Sequence, residues 1–480
     1  MDALKDRISH MSDKQVILQQ IKKMNDMWNK RIVGVSVLAF AAASCYSQPD
    51  VLSLRDCIQI GIENNLSLKN TAGEMQKGKY ELSGNRFKLL PVIQAFGNFT
   101  DNVDQGSTVG KTSQWGTEPT PDAVWMQSTP MRYNTNGGLQ LSLPLYDQTL
   151  YTGIQISKRM NEINRLNYSL AREELVMEIS RLYYLAQTSL SQIRLADENI
   201  CRLVRLQDIT QALLDNGMIM EVDLSRVKYQ LEDARVRKDE VETLHEHQLN
   251  LLRYCLDLSP DYVFTVCTLD STLSMNSMEW HSDGNTFSME LPELKLTESR
   301  IALAEEQGKS IRHRYIPSLS LVGGLSYTKY EAHFSDYFHS GTPREWYNNF
   351  YWGISLKIPL FDGFQKRTEI RKNRIDLQNR KNDRDDMLLK LETDYANGMN
   401  TLNNSLRTFR KQSDNYKLAR NIYDVTVDKY KEGLSSMTDL LQDEINISNT
   451  QNNCINAFYN YKLAELTLLR LSGRLNELTK

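Results

Sequence analysis

The chain carries little surplus charge of either sign: 57 Lys and Arg against 60 Asp and Glu in 480 residues leave a net charge of -3. Without a basic field there is no electrostatic footprint for polyanions, and bulk nucleic-acid binding is excluded. Apolar runs are scarce as well. A mean hydropathy of -0.50 excludes a polytopic helical membrane protein. The one long apolar run, Ile32 to Gln48, follows the basic flank Asn29-Lys30-Arg31 and ends in small residues. It predicts a secretory signal peptide over 1–47, cut after Ser47, with Met24 or Met27 as the more ordinary start. An uncleaved anchor is the alternative, but the apolar core is short for a bilayer. Cys45, after Ala42-Ala43-Ser44, offers a lipoprotein-type cut instead, although Ala42 stands where a larger aliphatic residue is usual. Beyond that segment Cys57, Cys201, Cys255, Cys267 and Cys454 are scattered and show no C-x-x-C spacing. Neither a disulfide framework nor a metal site is expected from them.

Catalytic motifs are also lacking. Around Gly110, Lys111 and Thr112 the chain looks like a phosphate loop, but Gln105 occupies the position that needs glycine, and Gly106 is one place off. Glu305-Glu306-Gln307-Gly308-Lys309-Ser310 fails in the same way, with Leu303 in place of glycine. The segment 106–133 is read as an exposed loop between strands. His245 and His247 are two apart on a helix and do not share a face, so solvated histidines are expected rather than a metal pair. No cofactor and no enzymatic site are expected.

What the chain does contain is one pattern written twice. Leu143-Pro144-Leu145-Tyr146-Asp147 returns as Ile358-Pro359-Leu360-Phe361-Asp362, followed by Gly363. Residues 213–227 parallel 430–444, with Gly217 matching Gly433 and Asp223-Leu224 matching Asp439-Leu440. The expected organisation is a first unit over 48–258, a linker over 259–289 and a second unit over 290–480. Each starts with an amphipathic helix, about 53–86 and about 292–313. Strands follow near 91–103 and 136–146 in the first unit, near 317–330 and 349–361 in the second. A helical stretch of some 70 residues, a glycine break and a helix of about 40 complete each unit.

The strands show period two. Phe350, Trp352, Ile354, Leu356, Ile358 and Leu360 alternate with more polar residues, as do Leu139, Leu141, Leu143 and Leu145. Leu319, Leu321, Leu325 and Tyr327 continue the pattern. Strands of about ten residues with one apolar face suit a tilted transmembrane β-strand, or a soluble sandwich. The long helices show period seven: Tyr395, Leu402, Phe409, Tyr416, Tyr423 and Tyr430 form one stripe. Ile179, Ala186, Ile193, Ile200 and Leu214 form its counterpart. Such heptads predict coiled-coil packing. Four strands cannot close a barrel, and an open edge cannot face lipid, so transmembrane strands require several protomers to pool them. Two protomers give eight strands and three give twelve; the physics alone does not choose.

These motifs, in this order, resemble the TolC-like outer-membrane efflux protein family over nearly the whole mature chain. The matching stretches are Leu52 to Leu68, Ile358 to Ile375 and Tyr430 to Gly473. The resemblance implies an α+β membrane protein: a homotrimer whose four strands per protomer build a twelve-stranded barrel in outer-membrane lipid. A long periplasmic α-helical coiled-coil barrel would continue from it. A periplasmic adaptor and an inner-membrane transporter would be its partners, and the function an exit duct for efflux or secretion. A periplasmic coiled-coil scaffold without a pore is the alternative.

The resemblance also implies sites. Gly217-Met218-Ile219 and Gly433-Leu434 correspond to tips that meet an adaptor, although plain helix caps would explain the glycines. Asp439, Gln442 and Asp443 would narrow the pore as symmetry-repeated rings; a helix-capping Asp439 is the alternative. The family often has Asp where Gln442 stands, which leaves a double ring open. Pro144, Asp147, Pro359, Asp362 and Gly363 would mark the junctions from barrel to helices.

Overall fold

The computed structural model describes residues 50–103, 107–111, 124–128, 131–268, 287–338 and 346–479. The leader with Cys45, and most of the linker, lie outside them.

A small unit pairs β1 (Asp50–Leu52) with β6 (Phe264–Val266) in parallel. Tyr262 Oη donates to Asp50 Oδ2 at 2.8 Å beside this pair.

The large unit holds everything else. Ser53 opens α1 (Leu54–Asn64) with a capping box to Asp56. The helix expected over 53–86 is broken at Asn65 before α2 (Leu66–Phe87). The Asn65 side chain accepts from Leu68 N at 3.0 Å and donates to Cys255 O at 3.0 Å. It offers the backbone a cap in place of another helical turn.

Four antiparallel strands follow in two instalments: β2 (Val92–Asp101), β5 (Tyr133–Tyr146), β7 (Ser318–Glu331) and β8 (Tyr347–Lys357), in the order β2-β5-β7-β8. Between the first two, the loop expected over 106–133 instead contains an antiparallel ribbon, β3 (Ser107–Lys111) with β4 (Val124–Ser128). Gly110 and Lys111 lie in that ribbon, not ahead of a helix as a phosphate loop demands. Alternation there is weak, so the pattern that exposed the other strands was missing.

Helices α3 (Gln148–Asp215, 68 residues) and α4 (Glu221–Leu256, 36 residues) form one hairpin. After α5 (Pro292–His313) and strands β7 and β8, α6 (Gln365–Lys431, 67 residues) and α7 (Met437–Leu471, 35 residues) form another. At about 1.5 Å per residue, α3 and α6 each reach roughly 100 Å. Their heptad stripes are the packing surface. Leu402, Phe409, Tyr423 and Tyr430 are buried, as are Ile179 and Ala186. Tyr423 and Tyr430 pack with Leu206, Val227, Met437 and Leu440, so residues of all four long helices share one cluster. Tyr416 is only half-buried, because its hydroxyl accepts from Gln451 Nε2 at 3.0 Å.

One of the two histidines differs from expectation. His247 is exposed, but His245 is half-buried against α3, its Nδ1 2.8 Å from Ser189 Oγ. Burial lowers its pKa, against a smaller opposing effect of Glu246. A depressed histidine pKa means that the fold favours the neutral ring. Stability is therefore level above the unfolded value of about 6.5 and declines as the pH falls below it. In thermal melts followed by circular dichroism, His245→Gln should narrow its gap to the parent as the pH drops from 7.5 to 5.5. A constant gap would show that the ring does not titrate against the fold.

Candidate functional site

The sheet is built so that its alternations fall in phase. Directly opposed residues share a face. Ile93 pairs with Leu141, Ala95 with Leu139, and Leu139 with Leu325. Leu325 pairs with Phe350, Leu321 with Ile354 and Leu319 with Leu356. All of these lie on one face. The opposite face carries Gln94, Asn98, Gln140, Asn136, Thr328 and Asn349 in the same registers. The apolar face is not covered: Phe350, Trp352, Ile354 and Leu356 are 71%, 72%, 62% and 59% exposed. Such a surface marks a contact with membrane or with another protein surface. The eleven residues of β8 extend over roughly 35 Å, which a tilt near 45° reduces to about the height of an apolar membrane band. The outer edges of β2 and β8 have no partner strand among the described residues.

At the far end of the strands the apolar face closes with aromatic rings. Phe99 stacks on Tyr133 at 5.9 Å and meets Phe334 and Tyr337 edge-on, at 6.0 and 6.1 Å. Tyr337 also lies 5.1 Å from Lys329 Nζ, whose buried ammonium pairs with Glu331 at 2.5 Å.

At the near end all four helix junctions meet. Val92 opposes Ser142, Tyr146 opposes Leu319, and Ser318 opposes Lys357. The recurring aspartates start the long helices. Asp147 Oδ1 accepts from Thr149 N at 2.8 Å and caps α3. Asp362 Oδ2 accepts from Lys366 N at 3.0 Å at the head of α6. The two junctions differ in their turns. Asp147 passes directly into α3, whereas Gly363 and Phe364 both adopt φ of 65° before α6. A left-handed phenylalanine costs roughly 1–2 kcal/mol, so surrounding structure must hold it there. Phe361 does part of this, edge-on to Phe364 at 5.4 Å. The prolines differ too. Pro144 lies within β5, opposite Ser320 and next to a register shift, while Pro359 lies beyond the last residue of β8.

At the other end of the helices both glycines form the same turn. Gly217 and Gly433 take φ of 70° and 73°. Met218 N donates to Leu213 O at 2.9 Å and Gly217 N to Leu214 O at 2.8 Å; Leu434 N donates to Lys429 O at 2.8 Å and Gly433 N to Tyr430 O at 3.0 Å. These paired bonds satisfy the last helical carbonyls. The residues that follow are apolar and uncovered. Met218, Met220 and Leu434 are 72%, 71% and 73% exposed, and Ile219 is half-buried.

Asp439 is exposed and closes a capping box with Ser436, whose hydroxyl donates to Asp439 Oδ2 at 2.6 Å. Asp443 is half-buried and accepts from Thr426 Oγ1 at 2.8 Å, while the Gln442 amide donates to Asn446 Oδ1 at 3.3 Å. Asp223 pairs with Arg226 at 3.2 Å and does not cap α4, whose N-cap has no side-chain bond.

Next to these acids lies a group that the sequence reading missed. Glu444, 1% exposed, receives bonds from Arg202 Nε at 3.2 Å and Nη2 at 3.0 Å, joining α7 to α3. Tyr423 lies against the pair, and burial, together with the Glu444 charge, raises its pKa. The signal was present: Met437, Leu440, Glu444 and Ile447 form one buried stripe, and a carboxylate there needs a cation.

Among the described residues no cluster of metal-ligating side chains occurs and no helix is long and apolar enough to cross a membrane. The comparisons agree with that geometry. TolC of Vibrio cholerae is 21% identical over 424 residues, covering 86% of this chain and 89% of the relative. The solved channel OprN superposes with a TM-score of 0.68 at 15% identity, over 88% of this chain and 89% of its own. The open-state MtrE channel of Neisseria gonorrhoeae gives 0.64 at 17% identity, over 89% and 90%. The sequence profile of the family described as outer membrane efflux protein matches residues 57–256 and 289–474, and the chain therefore belongs to that family of outer-membrane channels, with a long helical extension into the periplasm.

Proposed function

We propose that the protein is the outer-membrane exit duct of an efflux or secretion system, closed as a homotrimeric, twelve-stranded barrel and continued by a helical tunnel. The observation that carries this reading is the sheet: an in-phase apolar face on four strands, with two unpaired edges. Pairing β8 of one protomer with β2 of the next satisfies both edges and leaves no free backbone in lipid. The two hairpins of matching length in each protomer are read as a duplicated unit, which makes the tunnel approximately sixfold.

The uncovered turns at Gly217-Met218-Ile219 and Gly433-Leu434 are the proposed docking points for a periplasmic adaptor, which connects the duct to an inner-membrane transporter. Exposed apolar residues on tight, well-bonded turns support this. Asp439, with Gln442 and Asp443 beyond it, is the proposed constriction.

The reading is tested on protein extracted from the outer membrane. It should migrate as a heat-modifiable trimer and conduct ions in planar bilayers. A monomer in the soluble periplasmic fraction would overturn it. Asp439→Asn, which keeps much of the cap, should lower cation selectivity and weaken divalent block. Unchanged selectivity and block would leave Asp439 with the cap alone.

A further inference from the structure

Two clusters of basic and aromatic residues lie at the helix end of the sheet. One ends α2 and leads into β2: Arg86, Phe87 and Lys88. The other joins α5, β7 and α6: Arg312, Arg314, Tyr315, Lys366 and Arg367. Lys366 Nζ is 4.6 Å from the centre of the Tyr315 ring, and Arg314 pairs with Glu369 at 2.8 Å, so the end of α5 lies against the start of α6. Lys366 also lies 3.7 Å from Asp362.

Arg86, Lys88, Arg312 and Arg367 are exposed and form no ion pair among the described residues. Other helical cations are paired within their own helix: Arg159, Arg181, Arg235 and Lys309 each find a glutamate three residues away. Helix dipoles account for only half of the pattern. Basic residues suit the C-terminal ends of α2 and α5, but Lys366 and Arg367 sit at the start of α6, which has no acidic residue in its first turn. Asp362 meets that start at Lys366, by its backbone N–H and its ammonium, and Arg367 has no such carboxylate among the described residues.

The aromatic partners say where an anion would be. Phe87, Tyr315, Phe361 and Phe364 are 63%, 47%, 75% and 61% exposed. Ile358 and Leu360, 52% and 91% exposed, continue the apolar stripe of β8 directly into Phe361. Rings at the margin of an apolar band belong at headgroup depth, and basic residues beside them attract anionic lipid.

We propose that this end of the sheet is a binding belt for anionic glycerophospholipids of the periplasmic leaflet. Phosphate groups lie against Arg86 and Lys88 on one side and against Arg312 and Arg367 on the other. The inference rests on the sheet being the membrane-spanning element. The belt would fix the depth and vertical position of the barrel electrostatically, in addition to the apolar match.

The test uses the full chain in mild detergent, supplied with mixed micelles of phosphatidylglycerol and phosphatidylcholine, with retained lipid counted by mass spectrometry. Phosphatidylglycerol should be enriched several-fold at about 0.1 M salt, and the enrichment should vanish near 1 M, where the screening length is about 3 Å. The combined variant Arg86→Gln, Lys88→Gln, Arg312→Gln and Arg367→Gln should retain both lipids equally. Arg312→Lys with Arg367→Lys should keep the preference. If the fourfold variant does not fold, the salt titration of the parent decides. Equal retention by the parent at low salt, a preference that survives high salt, or one unchanged in the fourfold variant would each overturn the belt. Loss of the oligomer and of all lipid in the parent would instead point to failure of the barrel reading.

Discussion

Ile354→Arg should abolish recovery of the oligomer from the outer membrane, while Ser355→Arg, one residue along the same strand, should leave most of it. The two positions have equal backbone environments in β8 but opposite faces: Ile354 opposes Leu321, and Ser355 opposes Ser320. Ile354 lies midway along the stripe from Phe350 to Ile358. An arginine near the middle of a lipid-facing band costs about 2–4 kcal/mol, and closure by symmetry applies that cost in every protomer. A surface of 62% exposure offers no internal partner that could offset it. On the polar face the same side chain stays in water. The yield of heat-modifiable oligomer in membrane extracts measures the contrast. Equal loss from both substitutions would mean that β8 is buried on both faces, and equal tolerance that neither face meets lipid.

The second large effect concerns the helices. Arg202→Ala should lower the stability of the helical portion by about 3 kcal/mol, the lower end of what is lost when one partner of a buried pair is removed. The lower end applies because the Arg202 side chain is 20% exposed, whereas Glu444 is at 1% and would be left as an uncompensated carboxylate. Tyr423 could not replace the guanidinium, since it supplies a hydroxyl but no charge. The double substitution Arg202→Met with Glu444→Leu should recover most of the loss, because well-packed apolar residues substitute for a buried pair at little cost. Unfolding followed by circular dichroism in detergent, with parent and variants at one and the same protein concentration, tests both. A double variant no better than Arg202→Ala would indicate that the arginine acts through its packing with α7 and not through the charge of Glu444.

Much of this architecture could be read from residue order because its elements are long and one-sided. In β8 every second residue from Phe350 is apolar, and a period of two over that length has no other regular explanation. The heptad tyrosines of α6 announced both a helix and its buried side. Gly433 was legible because a helix favours a left-handed residue after its end, whereas Asp147 entered as a junction residue and its capping of α3 was not foreseen. Where signals were short or distant, the sequence was silent. Strands β1 and β6 have three residues each, and their pairing spans a separation no local pattern can encode. Asn65 looked like one polar residue on an amphipathic helix, although its side chain interrupts the ladder. The Arg202–Glu444 pair joins positions 242 apart, and each alone reads as an ordinary solvated charge. The half-buried His245 was missed for a related reason: its partner Ser189 lies on a neighbouring helix, not in its own turn.

The unpaired edges of β2 and β8 have a thermodynamic consequence. In the proposed trimer, a folded protomer with two adhesive borders and a bare apolar face is not a stable end state, because completing it requires other copies. Folding and association then become one equilibrium, and its midpoint moves with the total amount of chain. Dilution works as a denaturant, and a tenfold change in protein concentration shifts apparent stability with no change in any contact. A single unfolding free energy has no meaning for this chain unless the concentration is stated. In the cell, the vulnerable interval is the time before those borders find each other, when a wrong strand competes for the same row of amides and carbonyls.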